Sequence, residues 1–234
     1  MLISIIIPVF NESKTIYKIL KKINKIKGLK KQIIIIDDGS TDETKKILKK
    51  NCSKLFDILI TLKKNRGKGY ACRIGLKKVT GDIVIIQDAD LEYDPNDYFK
   101  LIQPIKKKKS NIVYGSRVLK GGRRTRPKTF DVLVRLCANH FLTFLSNLLN
   151  GQNLTDAHTC YKVFKSKLLK NIKLEEDGFN FCPEITAKFS KLEEKIYEVP
   201  INYFGRTHSE GKKISFFDGF RAIYAIIKYN IFKQ

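Results

Sequence analysis

Apolar runs alternate with helix-like segments along the first half of the chain. Five short runs rich in isoleucine and other β-branched residues span residues 2–9, 32–36, 57–62, 82–87 and 112–114, and such runs are typical of buried strands. Segments with helical spacing lie between them, at 13–27, 41–50, 69–78 and 96–107. This alternation predicts an α/β domain in which helices cover a mostly parallel sheet.

Charged and polar residues follow each of these predicted strands. In open parallel sheets, ligands bind outside the carboxyl ends of the strands, so we expect these clusters to converge on one rim. The clusters are Asn11 and Glu12, Asp37 and Asp38, residues 64–68, Asp88 and Asp90, and Arg117. Loops are polar in general, but that explains less well why carboxylates and cations recur at the same end.

The segment Asp88-Ala89-Asp90 carries the clearest chemical signal. Two carboxylates two residues apart, where a buried strand ends, are well placed to hold a divalent cation. Mg²⁺ takes oxygen ligands and leaves positions for the phosphates of a substrate. An isolated pair of this kind is more often an Asp-rich turn. The neighbouring clusters favour a metal-bridged diphosphate substrate.

The pattern changes after Lys120. A basic loop at 121–128 precedes a long helix with an apolar face at 130–149, which Asn150-Gly151 is expected to cap. A strand at 159–164, a helix at 181–190 and a strand at 195–203 follow. A second basic loop, 206–213, precedes an amphipathic segment at 214–232. That segment suits either packing on the core or a position in a membrane interface.

Composition narrows the set of partners. The 234 residues suffice for one α/β domain with an appendage. The net charge of +23 indicates nucleic acid, an anionic membrane or phosphorylated substrates, although an AT-rich genome accounts for part of it. No nucleic-acid-binding motif accompanies the lysines, so we predict no nucleic-acid partner.

Cysteine usage and hydropathy predict a cytoplasmic location. The five cysteines are widely spaced and form no disulfide framework, which fits a reducing compartment. The N-terminus lacks the basic region of a signal peptide, and its apolar run breaks at Pro8. We expect no apolar stretch to approach the roughly 18 residues of a membrane span.

The motifs, taken in order, resemble those of family 2 glycosyltransferases, and most closely the bacterial relatives of dolichol-phosphate mannosyltransferase. Each motif alone is weak, but the combination is specific and covers nearly the whole chain. The residues that carry the resemblance are 8–12, 37–42, 87–95, 115–117, 153–156, 159–162, 183–188 and 210–214.

The resemblance implies a GT-A fold, a Rossmann-like sheet with helices on both faces. It also implies inverting transfer of a hexose, mannose above all, from GDP-mannose or UDP-glucose with Mg²⁺ or Mn²⁺. Residues 1–213 would form one domain, with a nucleotide-sugar half at 1–119 and an acceptor half at 120–213. Residues 214–234 would form a terminal amphipathic helix.

The same resemblance assigns roles to individual residues. Asp88 and Asp90 would bind the metal, with Glu92 as a further ligand. Asp90, Arg117 and Asp156 would form the catalytic set. The donor would contact Pro8, Asn11, Glu12, Asp37, Lys68, Asp88, Ala89, Arg206 and Lys212. Ser40 and Glu43 form a predicted capping box, which favours Asp37 over Asp42 as a ligand.

The nature of the acceptor decides the role of Asp156. A lipid phosphate is largely dianionic near neutral pH, since its second pKa is about 6, and it can attack without a base. A saccharide or other hydroxyl acceptor would need Asp156 as general base. The cationic loops and the amphipathic C-terminus favour a polyprenyl phosphate at the cytoplasmic face of a membrane. His158 is interpreted as an ordinary loop residue, with a role in acceptor binding as the alternative.

Two other classes of function are weaker interpretations. A basic nucleic-acid-binding module would use the charge but would need neither metal nor nucleotide sugar. A dinucleotide-binding dehydrogenase is disfavoured because no GxGxxG motif follows the first strand.

Overall fold

A seven-stranded sheet forms the centre of the computed structural model, which describes residues 1–125, 130–206 and 217–232. The strands are β1 (Leu2–Val9), β2 (Lys30–Asp37), β3 (Ile58–Thr61), β4 (Ile83–Ile86), β5 (Ile112–Ser116), β7 (Lys162–Lys165) and β8 (Ile196–Pro200). Their order is β3-β2-β1-β4-β7-β5-β8. Only β7 runs antiparallel to its neighbours β4 and β5. The predicted α/β fold with a mostly parallel sheet is therefore confirmed.

Helices connect the strands at the predicted places. They are α1 (Ile16–Lys25), α2 (Thr44–Asn51), α3 (Lys68–Leu76), α4 (Tyr98–Lys106), α5 (Phe130–Asn150), α6 (Phe181–Ser190) and α7 (Phe217–Ile227), which continues as a π-helical turn, Lys228–Phe232. Two 3₁₀ turns, Pro95–Asp97 and Ser166–Asn171, complete the set. A two-stranded ribbon pairs β6 (Arg124–Thr125) with β9 (Tyr203–Phe204). Gly151 ends α5 with a φ of 60°, as the predicted C-cap requires.

The core consists largely of isoleucines from the central strands. β1, β2, β4 and β5 are buried at consecutive positions, so both faces of the sheet are covered, as parallel strands require. α3 packs especially close to the sheet. A Cβ atom at Gly75 would lie 2.6 Å from Ile6 Cγ2 and 2.7 Å from Ile36 Cδ1. This close packing holds the last turn of α3 directly against β1 and β2.

The start of α2 differs from the predicted capping box. The helix begins at Thr44, and Ser40 Oγ instead accepts a hydrogen bond from the backbone N–H of Asn11 at 3.0 Å. The N-cap is Glu43, whose side chain makes no capping hydrogen bond, and Asp42 Oδ1 accepts from Thr44 N at 2.9 Å. Ser40 therefore joins the loop after β2 to the loop after β1.

α5 and α7 pack against each other and leave much of their apolar surface exposed. Leu142 of α5 meets Ala222 and Ile226 of α7 in a small buried cluster. The outward side chains are Phe130, Leu133, Val134, Phe141, Phe144 and Leu148 on α5, and Phe217, Phe220, Tyr224, Ile231 and Phe232 on α7 and its continuation. We call these eleven residues the α5–α7 apolar face.

The expectation that no apolar stretch approaches membrane-spanning length was wrong. Residues Val132–Asn150 of α5 are long and apolar enough to cross a membrane by length and composition, and 17 % of the most apolar window is buried. Arg135, Asn139 and His140 interrupt the apolar run, so the sequence shows no long uninterrupted stretch. The mean hydropathy of the segment nevertheless stays high.

Candidate functional site

The loops after β1 and β2 are tied together at one rim of the sheet. Asn11 has a φ of 51°, which is uncommon for a non-glycine residue. Its Oδ1 accepts the backbone N–H of Thr41 at 2.8 Å. The backbone N–H of Glu12 donates to Thr44 Oγ1 at 2.8 Å. These contacts bring Asn11 and Glu12 beside the Asp37–Asp38 loop, as the sequence predicted.

Asp37 and Asp38 play different parts at this rim. Asp38 joins β2 to the loop after β3, since its two oxygens accept from Arg66 N at 2.8 Å and Gly67 N at 2.7 Å. Asp37 Oδ1 accepts from Ser40 N at 3.0 Å. Asp37 Oδ2 is buried and has no hydrogen-bond partner among the described residues. Because buried acceptors are rarely left unpaired, this atom is a place where a ligand N–H fits.

Two glycines flank Lys68 and allow the start of α3 to lie very close to another loop. Gly67 has a φ of 98°, and a Cβ at Gly69 would lie 2.4 Å from the carbonyl oxygen of Glu176. The start of α3 therefore lies directly on the loop before α6, where Asp177 pairs with Arg66 and Arg73. Nothing in the sequence pattern pointed to Asp177, because the contact joins segments that are far apart in the chain.

Lys68 and Asp88 form a tight ion pair. Lys68 Nζ lies 2.5 Å from Asp88 Oδ1. Burial by itself would raise the pKa of Asp88, but the positive charge and hydrogen bond of Lys68 outweigh it and lower the pKa. Asp88 is therefore an anion in the folded protein, with its charge balanced by a lysine from the opposite side of the rim.

Arg206 lies among three carboxylates. Its Nη2 is 2.9 Å from Asp90 Oδ2, its Nη1 is 3.4 Å from Glu12 Oε2, and its Nε is 3.7 Å from Glu92 Oε1. Burial, with the nearby charges of Asp88 and Glu92, raises the pKa of Asp90 to about 7, and Arg206 opposes this rise. Three carboxylates therefore lie close together here, and the positive charge of Arg206 stabilises them.

Glu92 fixes the backbone that carries Arg206. Its Oε1 accepts from Arg206 N at 2.8 Å, and its Oε2 accepts from the Tyr203 hydroxyl at 2.8 Å. Leu91, just before it, has a φ of 65°. A bulky residue in this region is a strained outlier, and such outliers gather at functional sites.

The predicted metal ligands do not form a ready metal cluster. Across residues 1–125, 130–206 and 217–232, no three His, Cys, Asp or Glu side chains are placed to hold an ion together. Lys68 holds Asp88, and Arg206 holds Asp90 and Glu92. The oxygen donors themselves suit Mg²⁺ or Mn²⁺.

The remaining predicted donor contacts are placed as follows. Pro8 lies near the end of β1, in register with Ile36 of β2. Ala89 is buried between the two aspartates. Lys212 lies outside the described residues.

Arg117 and Asp156 form a two-pronged ion pair at the other side of the rim. Arg117 Nε is 2.6 Å from Asp156 Oδ2, and Arg117 Nη2 is 2.7 Å from Asp156 Oδ1. The backbone N–H of Arg117 also donates to Oδ2 at 3.0 Å. Burial alone would raise the pKa of Asp156, but Arg117 lowers it to about 2. A carboxylate that is fully buried and bound on both oxygens is a poor general base.

Glu198 of β8 supports this pair, and the sequence analysis missed it. Its Oε1 accepts from Asp156 N at 3.0 Å, and its Oε2 accepts from Thr155 N at 2.7 Å and Thr155 Oγ1 at 2.9 Å. A single glutamate in an amphipathic strand gives no signal by itself. The parallel pairing of β8 with β5 sets Glu198 opposite Tyr114 and so brings it to the loop that carries Asp156.

His158, in the loop before β7, and Lys162, the first residue of β7, have structural roles beside Asp156. Lys162 is buried, and its Nζ donates to the carbonyl oxygens of Ala157 at 2.9 Å and Thr159 at 2.8 Å. His158 is half-buried, and burial together with the charge of Lys162 lowers its pKa to about 4. His158 is therefore neutral at physiological pH, which suits a packing role in the loop.

Comparison with known proteins identifies relatives over nearly the whole chain. The family described as "Glycosyl transferase family 2" matches residues 4–173. The chain is 29 % identical over 232 residues to a protein of Pyrococcus furiosus named dolichol-phosphate mannosyltransferase, covering 98 % of this chain but 64 % of that protein. It is 32 % identical over 248 residues to the UDP-N-acetylglucosamine–dolichyl-phosphate N-acetylglucosaminyltransferase of Methanococcus voltae, covering 97 % and 95 % of the two chains.

Solved structures share the fold at lower identity. Glucosyl-3-phosphoglycerate synthase from Mycobacterium tuberculosis, in complex with Mn²⁺, uridine diphosphate and glucosyl-3-phosphoglycerate, superposes with a TM-score of 0.72 at 19 % identity. The match covers 97 % of this chain and 79 % of that chain. At this identity the likeness establishes the fold, which is the predicted GT-A arrangement.

Proposed function

Since this chain belongs to glycosyl transferase family 2, we propose that it is an inverting, metal-dependent transferase that moves a hexose, mannose foremost, from a nucleotide-diphosphate sugar to a polyprenyl phosphate. The chemistry forms a bond between an acceptor phosphate oxygen and the anomeric carbon, and it breaks the bond from that carbon to the diphosphate. The nucleoside diphosphate leaves with the electron pair. Two of the relatives carry names that specify dolichol phosphate or dolichyl phosphate, and these names support the acceptor.

One observation carries the choice of acceptor: Arg117 binds both oxygens of Asp156. With its pKa lowered to about 2, Asp156 takes up a proton poorly, so a hydroxyl acceptor would lack its base. A phosphate dianion needs none. Asp156 instead orients Arg117, and we assign Arg117 to the phosphate of the acceptor because a guanidinium fork matches phosphate oxygens.

The donor would lie across the rim formed by β1, β2 and β4. Asp37 Oδ2, a buried acceptor without a partner in the described part of the chain, would receive an N–H of the base. Lys68 and Arg206 would face the diphosphate, and Lys212, outside the described residues, is assigned to the donor by the resemblance alone. Pro8, Asn11, Glu12 and Ala89 would line the nucleotide. A divalent cation held by Asp88, Asp90 and Glu92 would neutralise charge on the departing diphosphate.

A transfer assay tests the proposed reaction. The protein is mixed with Mn²⁺ or Mg²⁺, a polyprenyl phosphate and labelled GDP-mannose, UDP-glucose or UDP-N-acetylglucosamine in turn. Label in the organic phase from one donor, absent with Asp90→Asn, is the expected result. Metal-dependent hydrolysis of the donor without lipid product would move the acceptor to a hydroxyl. A protein that neither turns over nor binds any nucleotide sugar would contradict the proposal.

The α5–α7 apolar face would seat the enzyme on the cytoplasmic surface of a membrane. Eleven large apolar side chains are exposed on two packed helices, whereas soluble monomers rarely expose large continuous apolar patches. The net charge of +23 adds attraction to anionic lipids. Attachment through two helices, α5 as well as the terminal one, extends the expectation drawn from the C-terminus alone.

Vesicle flotation tests the membrane surface. The double variant Phe144→Glu/Phe220→Glu changes one residue on each helix, at 65 % and 59 % exposure. It should lose flotation with anionic vesicles and transfer to membrane-borne acceptor, while donor binding persists. Phe99→Glu on α4, at 49 % exposure, is the matched control and should float as the wild type does. Full flotation of the double variant would exclude this face as the attachment surface.

A further inference from the structure

Arg206 lies where a cation is most strongly attracted. Four carboxylates, those of Glu12, Asp88, Asp90 and Glu92, stand along one stretch of the rim, and Lys68 balances one of them. The other three surround the guanidinium of Arg206. Oxygen donors of this kind are the ligands of hard divalent cations. The arginine and a metal would therefore seek the same side chains.

The backbone of Arg206 is fixed more firmly than its side chain. Its N–H donates to Glu92 Oε1 at 2.8 Å, and Glu92 is itself held by the Tyr203 hydroxyl. β9, which ends two residues before Arg206, is paired with β6. Among the ion pairs of the guanidinium with the three carboxylates, by contrast, the one with Asp90 is 2.9 Å long and those with Glu12 and Glu92 are 3.4 to 3.7 Å long. The head group can therefore turn about a stationary main chain.

We propose that Arg206 is the resident cation of the donor carboxylates, and that a divalent metal enters by exchange with its guanidinium. The inference rests on the proposed function, because the diphosphate of the donor is what would draw the guanidinium away from Asp90. Arginine binds phosphate oxygens in the same forked manner as carboxylates. Metal and nucleoside diphosphate then bind cooperatively, since each removes the obstacle to the other.

The exchange also explains why three carboxylates can gather without a metal. An unpaired buried carboxylate is costly, and three together cost more. Arg206 balances this charge through its ion pairs, so on this proposal the fold does not depend on metal. Free Mn²⁺ must displace the guanidinium of Arg206 from these carboxylates. The affinity of the site for Mn²⁺ in the absence of nucleotide is therefore reduced.

Mn²⁺ binding without nucleotide tests the exchange. The signal of the free aqueous ion in electron paramagnetic resonance reports the bound fraction for wild type, Arg206→Gln and Arg206→Lys. Arg206→Gln should bind Mn²⁺ alone about tenfold more tightly than wild type, within the usual range of coupling between sites. Arg206→Lys keeps a cation without the fork and should fall between the two. Lys46→Gln removes one charge from an exposed pair with Glu43 and should match the wild type.

The coupling provides the second readout. In wild type, GDP or UDP should tighten Mn²⁺ binding about tenfold or more, and in Arg206→Gln this gain should shrink to about twofold or less. Equal or weaker binding of Mn²⁺ by both Arg206 variants, with the gain from nucleotide retained, would overturn the exchange. If the wild type nevertheless transfers hexose to lipid phosphate, the proposed function stands without the exchange. If the Arg206 variants gain Mn²⁺ affinity but no nucleotide sugar binds, the exchange stands and the proposed function fails.

Discussion

Two arginine–carboxylate groups stand on opposite sides of the same rim, and they are built differently. On the side proposed to bind the acceptor, called the acceptor side as the other is called the donor side, Arg117 is bound to Asp156 by two bonds of 2.6 and 2.7 Å, and Glu198 accepts the backbone N–H of Asp156. On the donor side, Arg206 is shared among three carboxylates at distances of 2.9 to 3.7 Å. In the first group both carboxylate oxygens of Asp156 are bound by one arginine, whereas in the second one guanidinium is shared by three carboxylates. Residue type alone therefore does not tell which aspartate does chemistry.

Tyr203 links the two groups. Its hydroxyl donates to Glu92 on the donor side, and its ring centroid lies 5.3 Å from the guanidinium carbon of Arg117 on the acceptor side. Tyr93 packs against the same ring at 5.4 Å between centroids. This pair of buried tyrosines therefore connects the Arg117 side chain to Glu92, which holds the main chain of Arg206.

The sharpest test of the contrast is the same substitution on each side. Asp90→Asn should lower kcat for transfer by at least about a thousandfold, because it removes a charge from the site that faces the diphosphate. The melting temperature should change by less than about 4 °C, since the neutral amide fits a site whose crowding already raises the pKa of Asp90 to about 7. Transfer kinetics and calorimetry on the same preparation check both values. Undiminished transfer would remove Asp90 from the chemistry.

Asp156→Asn should act first on stability. It breaks an ion pair in which Asp156 is fully buried and removes the carboxylate charge that faces Arg117, which costs about 3 kcal/mol of unfolding free energy. Urea unfolding measures this loss, with Asp90→Asn as the chemically identical control. A variant that keeps its stability but loses transfer by orders of magnitude would restore Asp156 as a general base, and with it the hydroxyl acceptor.

The smallest expected effect concerns His158, which packs in the loop that carries Asp156. Its pKa is lowered from 6.5 to about 4 by burial and by Lys162, with Arg117 adding to the shift and Asp156 opposing it. Between these values the unfolded chain binds the extra proton, so the free energy of unfolding falls as pH falls from about 6.5 to 4. His158→Gln should remove this part of the slope. The exposed His140→Gln should leave it unchanged, and a slope equal in all three proteins would show that His158 is solvated.

The first five strands could be predicted because short runs of β-branched residues are typical of buried strands. β1 matches its predicted range, and β2 to β5 differ by a few residues at their ends. The strand predicted at 159–164 begins later than expected, since β7 spans Lys162–Lys165. Thr159 and Cys160 instead bond to Gly115 O and the Tyr93 hydroxyl. Local pattern does not reveal such contacts between distant segments.

The site was predictable in its membership but not in its pairings. The rule that ligands bind at the carboxyl ends of strands placed Glu12, Asp38, Asp88 and Asp90 together correctly. That Arg206 lies among three of the carboxylates depends on β9 pairing with β6, two strands of two residues each. Segments this short have no periodicity. The partners of Asp156 were missed for the same reason, because Glu198 lies on a strand that enters the sheet from its edge.

The reversed direction of β7 has a consequence for how acceptor preference can change. In the parallel strands the residues at the rim follow the carboxyl end of the strand. Because β7 is antiparallel, its rim residues, 154–161, come before the strand instead. The segment between β5 and β7 is thus an insert with both ends anchored beside each other in the sheet. Exchanging it between homologues would replace the segment proposed to bind the acceptor while β1, β2 and β4 keep their hydrogen bonds, which makes it a natural unit for chimeric enzymes.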